Sequence, residues 1–289
     1  MERGSVIAIG GAEDKVRERV VLRRFLELSG GREATVMVLA TASEIAETGD
    51  RYSAIFHDLG ARDVEVLRIR SREDALGAVD PEVFERLQTT TGFFMTGGSQ
   101  LRISSALGGT RFAAAVHKRH AAGMVVAGTS AGAAVLSEHM IAMGDSGGTP
   151  RRRLVQMAQG LGFAPNLIVD QHFRRRDRLG RLLTALSYNP GPLGVGVDED
   201  TAAIIAPDGV LTVLGSGGVT IVDASGMRFT NSHATQRGQP LAMLGLKLDF
   251  LTDGCRYDVE QRIALPQGSQ ANRAATAEPA GVTLESVHA

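Results

Sequence analysis

Tryptophan is absent, aromatic residues are only 4% of the 289, and cysteine occurs once, as Cys255. A lone cysteine excludes an internal disulfide and any cysteine-rich metal site. The shortage of aromatics argues against a protein that stacks sugars or single-stranded bases on flat rings. An excess of either charge is also missing: 31 basic residues face 32 acidic ones, for a net charge of -1. A general nucleic-acid binder carries a basic surplus, so no nucleic-acid partner is expected. No apolar run approaches the roughly 18 residues of a membrane span. The start, Met1-Glu2-Arg3-Gly4-Ser5, enters a short apolar stretch that Gly10-Gly11 interrupts. It lacks the apolar core and cleavage site of a secretion signal. These absences point to a soluble, cytoplasmic protein with no membrane partner. What is abundant is hydrophobic residues, 43%, and glycine, 35 residues. That pairing suits an α/β protein with many tight strand-to-helix turns.

The chain alternates short apolar runs with amphipathic segments. Val6–Ile9, Ala34–Ala40, Val64–Ile69, Gly92–Met95, Met124–Ala127 and Leu167–Val169 read as buried strands. Both faces of such runs are apolar, as in a parallel sheet covered by helices. Helices are predicted over Glu13–Leu28, Ile45–Leu59 and Phe112–Ala122, and from Ala131. The first has Val16, Val20, Val21, Phe25 and Leu28 on one face. This alternation predicts a doubly wound, mostly parallel α/β sheet whose site lies at the carboxyl ends of the strands. His139–Asn166 reads as a long functional connection. After it come short strands, Val195–Asp198, Ala202–Ile205, Val210–Val213 and Val219–Val222, expected to extend the sheet antiparallel. Pro207-Asp208-Gly209 supplies a hairpin turn among them. Length alone allows one domain or two. Without a repeat or linker, a single domain over 1–265 is expected, with a mobile tail over 266–289.

Gly128-Thr129-Ser130-Ala131-Gly132 matches G-x-S-x-G, with a strand before it and a helix after it. A serine at that junction presents its hydroxyl on a tight turn, which makes Ser130 the candidate nucleophile. It needs a base, and of seven histidines only His172 follows a strand directly, in Asp170-Gln171-His172-Phe173. Asp170 and His172 share a strand face, but no third metal ligand accompanies them, so no metal is expected. Arg174, Arg178 and Arg181 are spaced four and three apart and would share one helix face near the base. Guanidiniums there suit carboxylates, which they bind in a planar fork. Gly97-Gly98, at the end of another strand, and Ala131 are placed to offer backbone amides to an oxyanion, with Gln100 beside them.

In this combination and order, the sequence resembles the cyanophycinase branch of the serine peptidase family that also holds aspartyl dipeptidase (peptidase E). The likeness rests on Gly10-Gly11-Ala12-Glu13, Thr96-Gly97-Gly98-Ser99-Gln100, Gly128-Thr129-Ser130-Ala131-Gly132-Ala133, Leu161-Gly162-Phe163, Asp170-Gln171-His172-Phe173 with its arginines, and Gly196-Val197-Asp198-Glu199. It implies a flavodoxin-like fold of the class I glutamine amidotransferase type, a homodimer, and no cofactor. It also implies a serine exopeptidase that releases β-Asp-Arg dipeptides from cyanophycin, a polyaspartate whose β-carboxyls carry arginine. An aspartyl or isoaspartyl dipeptidase, and a catalytically impaired binding homologue, stay open beside that reading. By resemblance Ser130 is the nucleophile and His172 the base. Gln100, Asp170, Gln171, Arg176, Arg178 and Arg181 match the substrate-pocket positions. The family's third triad member is an acid between the other two, and the acidic position expected near Gly148 is glycine here. Asp145 is the only acid in that loop and takes the place, with Asp198 or Glu199 as the fallback.

Overall fold

The computed structural model describes residues 2–77 and 81–268. In chain order the strands and helices are β1 (Val6–Ile9), α1 (Val20–Leu28), β2 (Thr35–Leu39), α2 (Thr48–Asp58), β3 (Asp63–Leu67), α3 (Arg72–Gly77), α4 (Pro81–Thr89) and β4 (Gly92–Met95). Then follow α5 (Gln100–Leu107), α6 (Arg111–Ala121), β5 (Val125–Thr129), α7 (Ala131–Ala134), β6 (His139–Gly144), β7 (Val155–Gln159), β8 (Leu167–Gln171) and α8 (Leu179–Tyr188). The rest is β: β9 (Leu193–Val197), β10 (Thr201–Ile205), β11 (Val210–Gly215), β12 (Gly218–Asp223), β13 (Phe229–Thr230), β14 (Met243–Leu244), β15 (Lys247–Thr252), β16 (Arg256–Asp258) and β17 (Ile263–Leu265).

A nine-stranded sheet runs in the order β17-β16-β11-β10-β1-β5-β4-β2-β3. From β1 to β3 its pairs are parallel, and from β1 to β17 they are antiparallel. The parallel half is apolar on both faces because each face is covered. Phe93 and Phe94, adjacent in β4, point into different core layers, as the period of two in a strand requires. On one side Phe94 meets Phe25 and Phe56, with ring centroids 5.3 and 5.2 Å apart. Aromatic pairs of this kind contribute about 0.5–1.5 kcal/mol beyond the area they bury.

The later strands divide between two sheets. β10 and β11 extend the main sheet antiparallel through the turn at Gly209, as expected. The Val195–Asp198 and Val219–Val222 runs do not. They lie in a second, four-stranded sheet, β15-β12-β9-β8. The strand that leads to His172 belongs there too, so Ser130 and His172 come from two different sheets rather than from one edge. The expected connection over His139–Asn166 contains an antiparallel hairpin, β6–β7, whose strands lack the alternating exposure that would have marked them in the sequence.

Two helix readings change as well. The first helix starts at Val20 rather than Glu13, because the Asp14 carboxylate accepts the amides of Val16, Arg17 and Arg19 and folds that stretch into a turn. Val16 is 77% exposed and belongs to no core face. Arg174 to Asp177 also form turns, Arg178 caps α8, and that helix begins only at Leu179, so the expected shared helix face does not exist. Of the expected tail, residues 269–289 lie outside the described residues.

Candidate active site

The turn at Ser130 is forced by its neighbours. Ser130 has φ 53° and ψ -113°, a sparsely populated positive-φ conformation that costs a non-glycine residue about 1–3 kcal/mol. A Cβ at Gly128 would lie 2.0 Å from the Gly132 carbonyl oxygen, and one at Gly132 would lie 2.3 Å from that of Met95. Both positions of the G-x-S-x-G motif therefore need glycine for close backbone approach. The helix that follows, α7, has only four residues, so its dipole is small. Stabilisation of an anion must come from individual amides. Among the described residues the amides of Gly97, Gly98 and Ala131 have no backbone acceptor. Gly97 sits directly against the nucleophile candidate: a Cβ there would lie 3.2 Å from that of Ser130.

His172 Nε2 lies 3.0 Å from Ser130 Oγ, and His172 Nδ1 lies 2.7 Å from Glu199 Oε1. Asp145 is not at the imidazole. It is exposed beyond the end of β6, in a loop that docks through Gly147 on Asp177 and Gly180. Asp198, the other fallback, is turned away from the imidazole: its carboxylate accepts the Arg174 amide and Nε and the Gly218 amide. Glu199 reaches His172 because it stands in the short crossover from β9 in the small sheet to β10 in the large one. The carboxylate at the imidazole therefore follows His172 in the chain, whereas the expectation placed it between Ser130 and His172. An arrangement of hydroxyl, imidazole and carboxylate is thus complete without an acid near Gly148.

Three successive carbonyls, from the last residue of β1 onward, hold the three segments together. The Ser130 amide donates to Ile9 at 2.9 Å, the His172 amide to Gly10 at 2.7 Å, and the Asp200 amide to Gly11 at 2.9 Å. Gly11, at φ 93°, also backs the imidazole: a Cβ there would come within 2.4 Å of Cε1 and 2.5 Å of Nε2.

Burial lowers the His172 pKa below its usual 6.5, the Glu199 hydrogen bond opposes this, and the Arg176 and Arg178 charges add to the lowering. The neutral imidazole that a base requires is therefore favoured.

The sequence-predicted pocket residues separate into two groups. Asp170, Arg178 and Arg181 are a buried ion cluster. Arg181 Nε donates to Asp170 Oδ2 at 2.6 Å and a terminal nitrogen donates to Oδ1. Arg178 Nη1 donates to the Gln171 carbonyl at 2.6 Å and lies 3.5 Å from Asp170 Oδ1. Its Nε has no partner among the described residues, and burial pushes its pKa down to about 10. Gln171, Gln100 and Arg176 are placed differently. Gln171 Oε1 lies 3.5 Å from Ser130 Oγ. Gln100 Nε2 donates to the Ile141 and Ala142 carbonyls of β6, tying the hairpin to the start of α5. Arg176 is exposed, with no ion-pair partner among the described residues. Arg174, by contrast, is held by Asp198 and lies 4.9 Å from the Phe250 ring centroid. Among the described residues no group of three His, Cys, Asp or Glu side chains is arranged to hold a metal ion, and no helix is long and apolar enough to cross a membrane.

An α/β fold whose two sheets bring together a strained serine turn, an imidazole in contact and a carboxylate behind it defines a serine-type hydrolase. Residues 6–213 match peptidase family S51, and the chain belongs to that family. It is 46% identical over 258 residues to a cyanophycinase from Geminocystis herdmanii, covering 89% of this chain and 94% of that protein. It is also 46% identical over 264 residues to a cyanophycinase from Trichormus variabilis, covering 91% and 88%. The fold is shared with a peptidase from an acI-B1 Actinobacterium at a TM-score of 0.66 and 22% sequence identity, over 89% of this chain and 97% of that one.

Proposed function

We propose that this chain is a cyanophycin-degrading serine exopeptidase acting through an acyl-enzyme on Ser130. The observation that carries the chemistry is the unbroken relay from Ser130 Oγ through His172 to Glu199, at 3.0 and 2.7 Å. Support for the substrate is the 46% identity to proteins named cyanophycinase, over nearly the whole of both chains. Ser130 Oγ attacks the backbone carbonyl between two aspartates while His172 Nε2 takes its proton. Glu199 holds the imidazole in the correct tautomer and stabilises the imidazolium. The free amides of Gly97, Gly98 and Ala131 receive the oxyanion. His172 returns the proton to the leaving amine, and water, activated by the same imidazole, then releases the acyl group.

In this reading exposed Arg176 and the Gln171 amide meet the substrate. Buried Asp170 and Arg181 form the floor that fixes Gln171. The enzyme works in the cytoplasm as a homodimer, which sedimentation of the purified protein checks. The test of function is direct. Incubation with cyanophycin releases β-Asp-Arg from one chain end, and Ser130→Ala abolishes that release. Dipeptide release that persists in Ser130→Ala, or cleavage only of free Asp-X dipeptides, overturns the reading.

A further inference from the structure

Outside the relay, one buried acid lies directly against the nucleophile turn. Glu13 is 3% exposed, and both carboxylate oxygens are engaged. Oε2 accepts the Thr129 hydroxyl at 2.7 Å. Oε1 accepts the Tyr52 hydroxyl and lies 2.9 Å from Lys15 Nζ. Thr129 is the residue immediately before Ser130. Glu13 itself ends the segment whose carbonyls at Ile9, Gly10 and Gly11 hold the amides of Ser130, His172 and Asp200. One side chain therefore joins the template strand, the nucleophile turn and helix α2.

Backbone strain gathers at the same place. Ala12, Ser130 and His172 all have positive φ, at 50°, 53° and 49°. Such conformations persist only where surrounding contacts over-determine them. Gly10 and Gly11 give no side-chain anchorage, so the template needs a fixed point just beyond them. The Glu13 carboxylate is that point. A carboxylate enclosed by two hydroxyls and an ammonium is also a rigid one, because each of its oxygens is held in direction.

We propose that Glu13 is a positioning residue. Through the Thr129 hydroxyl and the loop after β1, it fixes the distance between Ser130 and His172. Tyr52 and Lys15 hold Glu13 from the other side. The inference rests on Ser130 being the nucleophile, but not on the identity of the substrate.

The test uses a fluorophosphonate that reacts with activated serines, so it needs no natural substrate. Its rate and its final stoichiometry are both read on the full chain. Thr129→Val removes the hydroxyl with little change in shape, and Thr129→Ser keeps it. A shift of ~1 Å in a reacting group costs ~100-fold in rate, and a partly relaxed turn about tenfold. The expected result is labelling slowed at least about tenfold in Thr129→Val and in Glu13→Gln, yet still reaching one label per chain. Thr129→Ser should recover to within about threefold of wild type. Should Thr129→Val fold poorly, Glu13→Gln and the serine variant carry the same comparison. Labelling of Thr129→Val or Glu13→Gln at the wild-type rate, or a rate kept with only a fraction of chains labelled, overturns the proposal, since the latter marks lost folding. Equal impairment of Thr129→Ser and Thr129→Val overturns it too. If Ser130 is unlabelled in the wild type, the function proposed above fails rather than this inference alone.

Discussion

Replacing Gly11 by alanine drives a methyl group into the imidazole of His172. The new Cβ would sit 2.4 Å from Cε1 and 2.5 Å from Nε2. Carbon atoms prefer about 3.5–4.0 Å, so the overlap is about 1 Å. The imidazole cannot stay in place, and its only soft direction is away from the template strand. The 3.0 Å contact with Ser130 and the 2.7 Å contact with Glu199 both change with it. A displacement of ~1 Å in a reacting group costs ~100-fold. Alanine at φ 93° also strains the backbone, at a cost of about 1–2 kcal/mol. The assay measures kcat on cyanophycin and thermal unfolding of the same preparation. Gly11→Ala should lose about 100-fold in kcat while remaining folded at the assay temperature. A folded Gly11→Ala enzyme with kcat within threefold of wild type would refute the reasoning, because the imidazole would then have room that the geometry denies.

Five further outcomes are expected. Glu199→Gln keeps the shape but not the charge at Nδ1, and should lower kcat by about 10⁴-fold, as loss of a triad acid does. Asp145→Asn should leave kcat within twofold, and steady-state rates of the pair decide between the two acids. The folded-state pKa of His172 is below its usual 6.5, so the protonated, inactive form appears only at lower pH. The acidic limb of kcat/KM should accordingly have its midpoint below 6.5, and activity should be lost as pH falls through it; a midpoint at or above 6.5 contradicts the desolvation argument. Arg181→Met removes a buried partner of Asp170 and should cost about 3–5 kcal/mol in denaturant unfolding. Exposed Arg176→Ala should change stability by less than about 0.5 kcal/mol and raise KM instead; the reverse pattern would exchange the roles of the two arginines.

Much of this site is legible in the sequence because its chemistry is local. Gly128, Ser130 and Gly132 lie within one turn, and Gly128 is required by its contact with the Gly132 carbonyl in that same turn. His172 is legible because it directly follows a strand. Glu199 is harder to see. Its place depends on a crossover between two sheets, and nothing in the spacing of Asp198-Glu199-Asp200 says which carboxylate turns inward. The arginines mislead for a related reason. Helical spacing from Arg174 to Arg181 is only apparent, since the chain turns until Leu179. Pairing sorts them instead, sending Arg174 to Asp198 and leaving Arg178 and Arg181 with Asp170. Asp14 shows the same limit on a smaller scale: an apolar periodicity from Val16 yields to one carboxylate that collects three amides. Tertiary partners, absent from any local pattern, decide Glu199 and the arginines, and a local side-chain-to-backbone turn decides Asp14.

Activation of the Ser130 hydroxyl by His172 is the step from which all the chemistry follows. Peptide mapping after fluorophosphonate treatment measures that most directly. The label should fall on Ser130, at one per chain, and His172→Ala should slow its attachment by at least about a thousandfold. A label on another serine, or polymer cleavage by a chain whose Ser130 stays unmodified, would contradict the account.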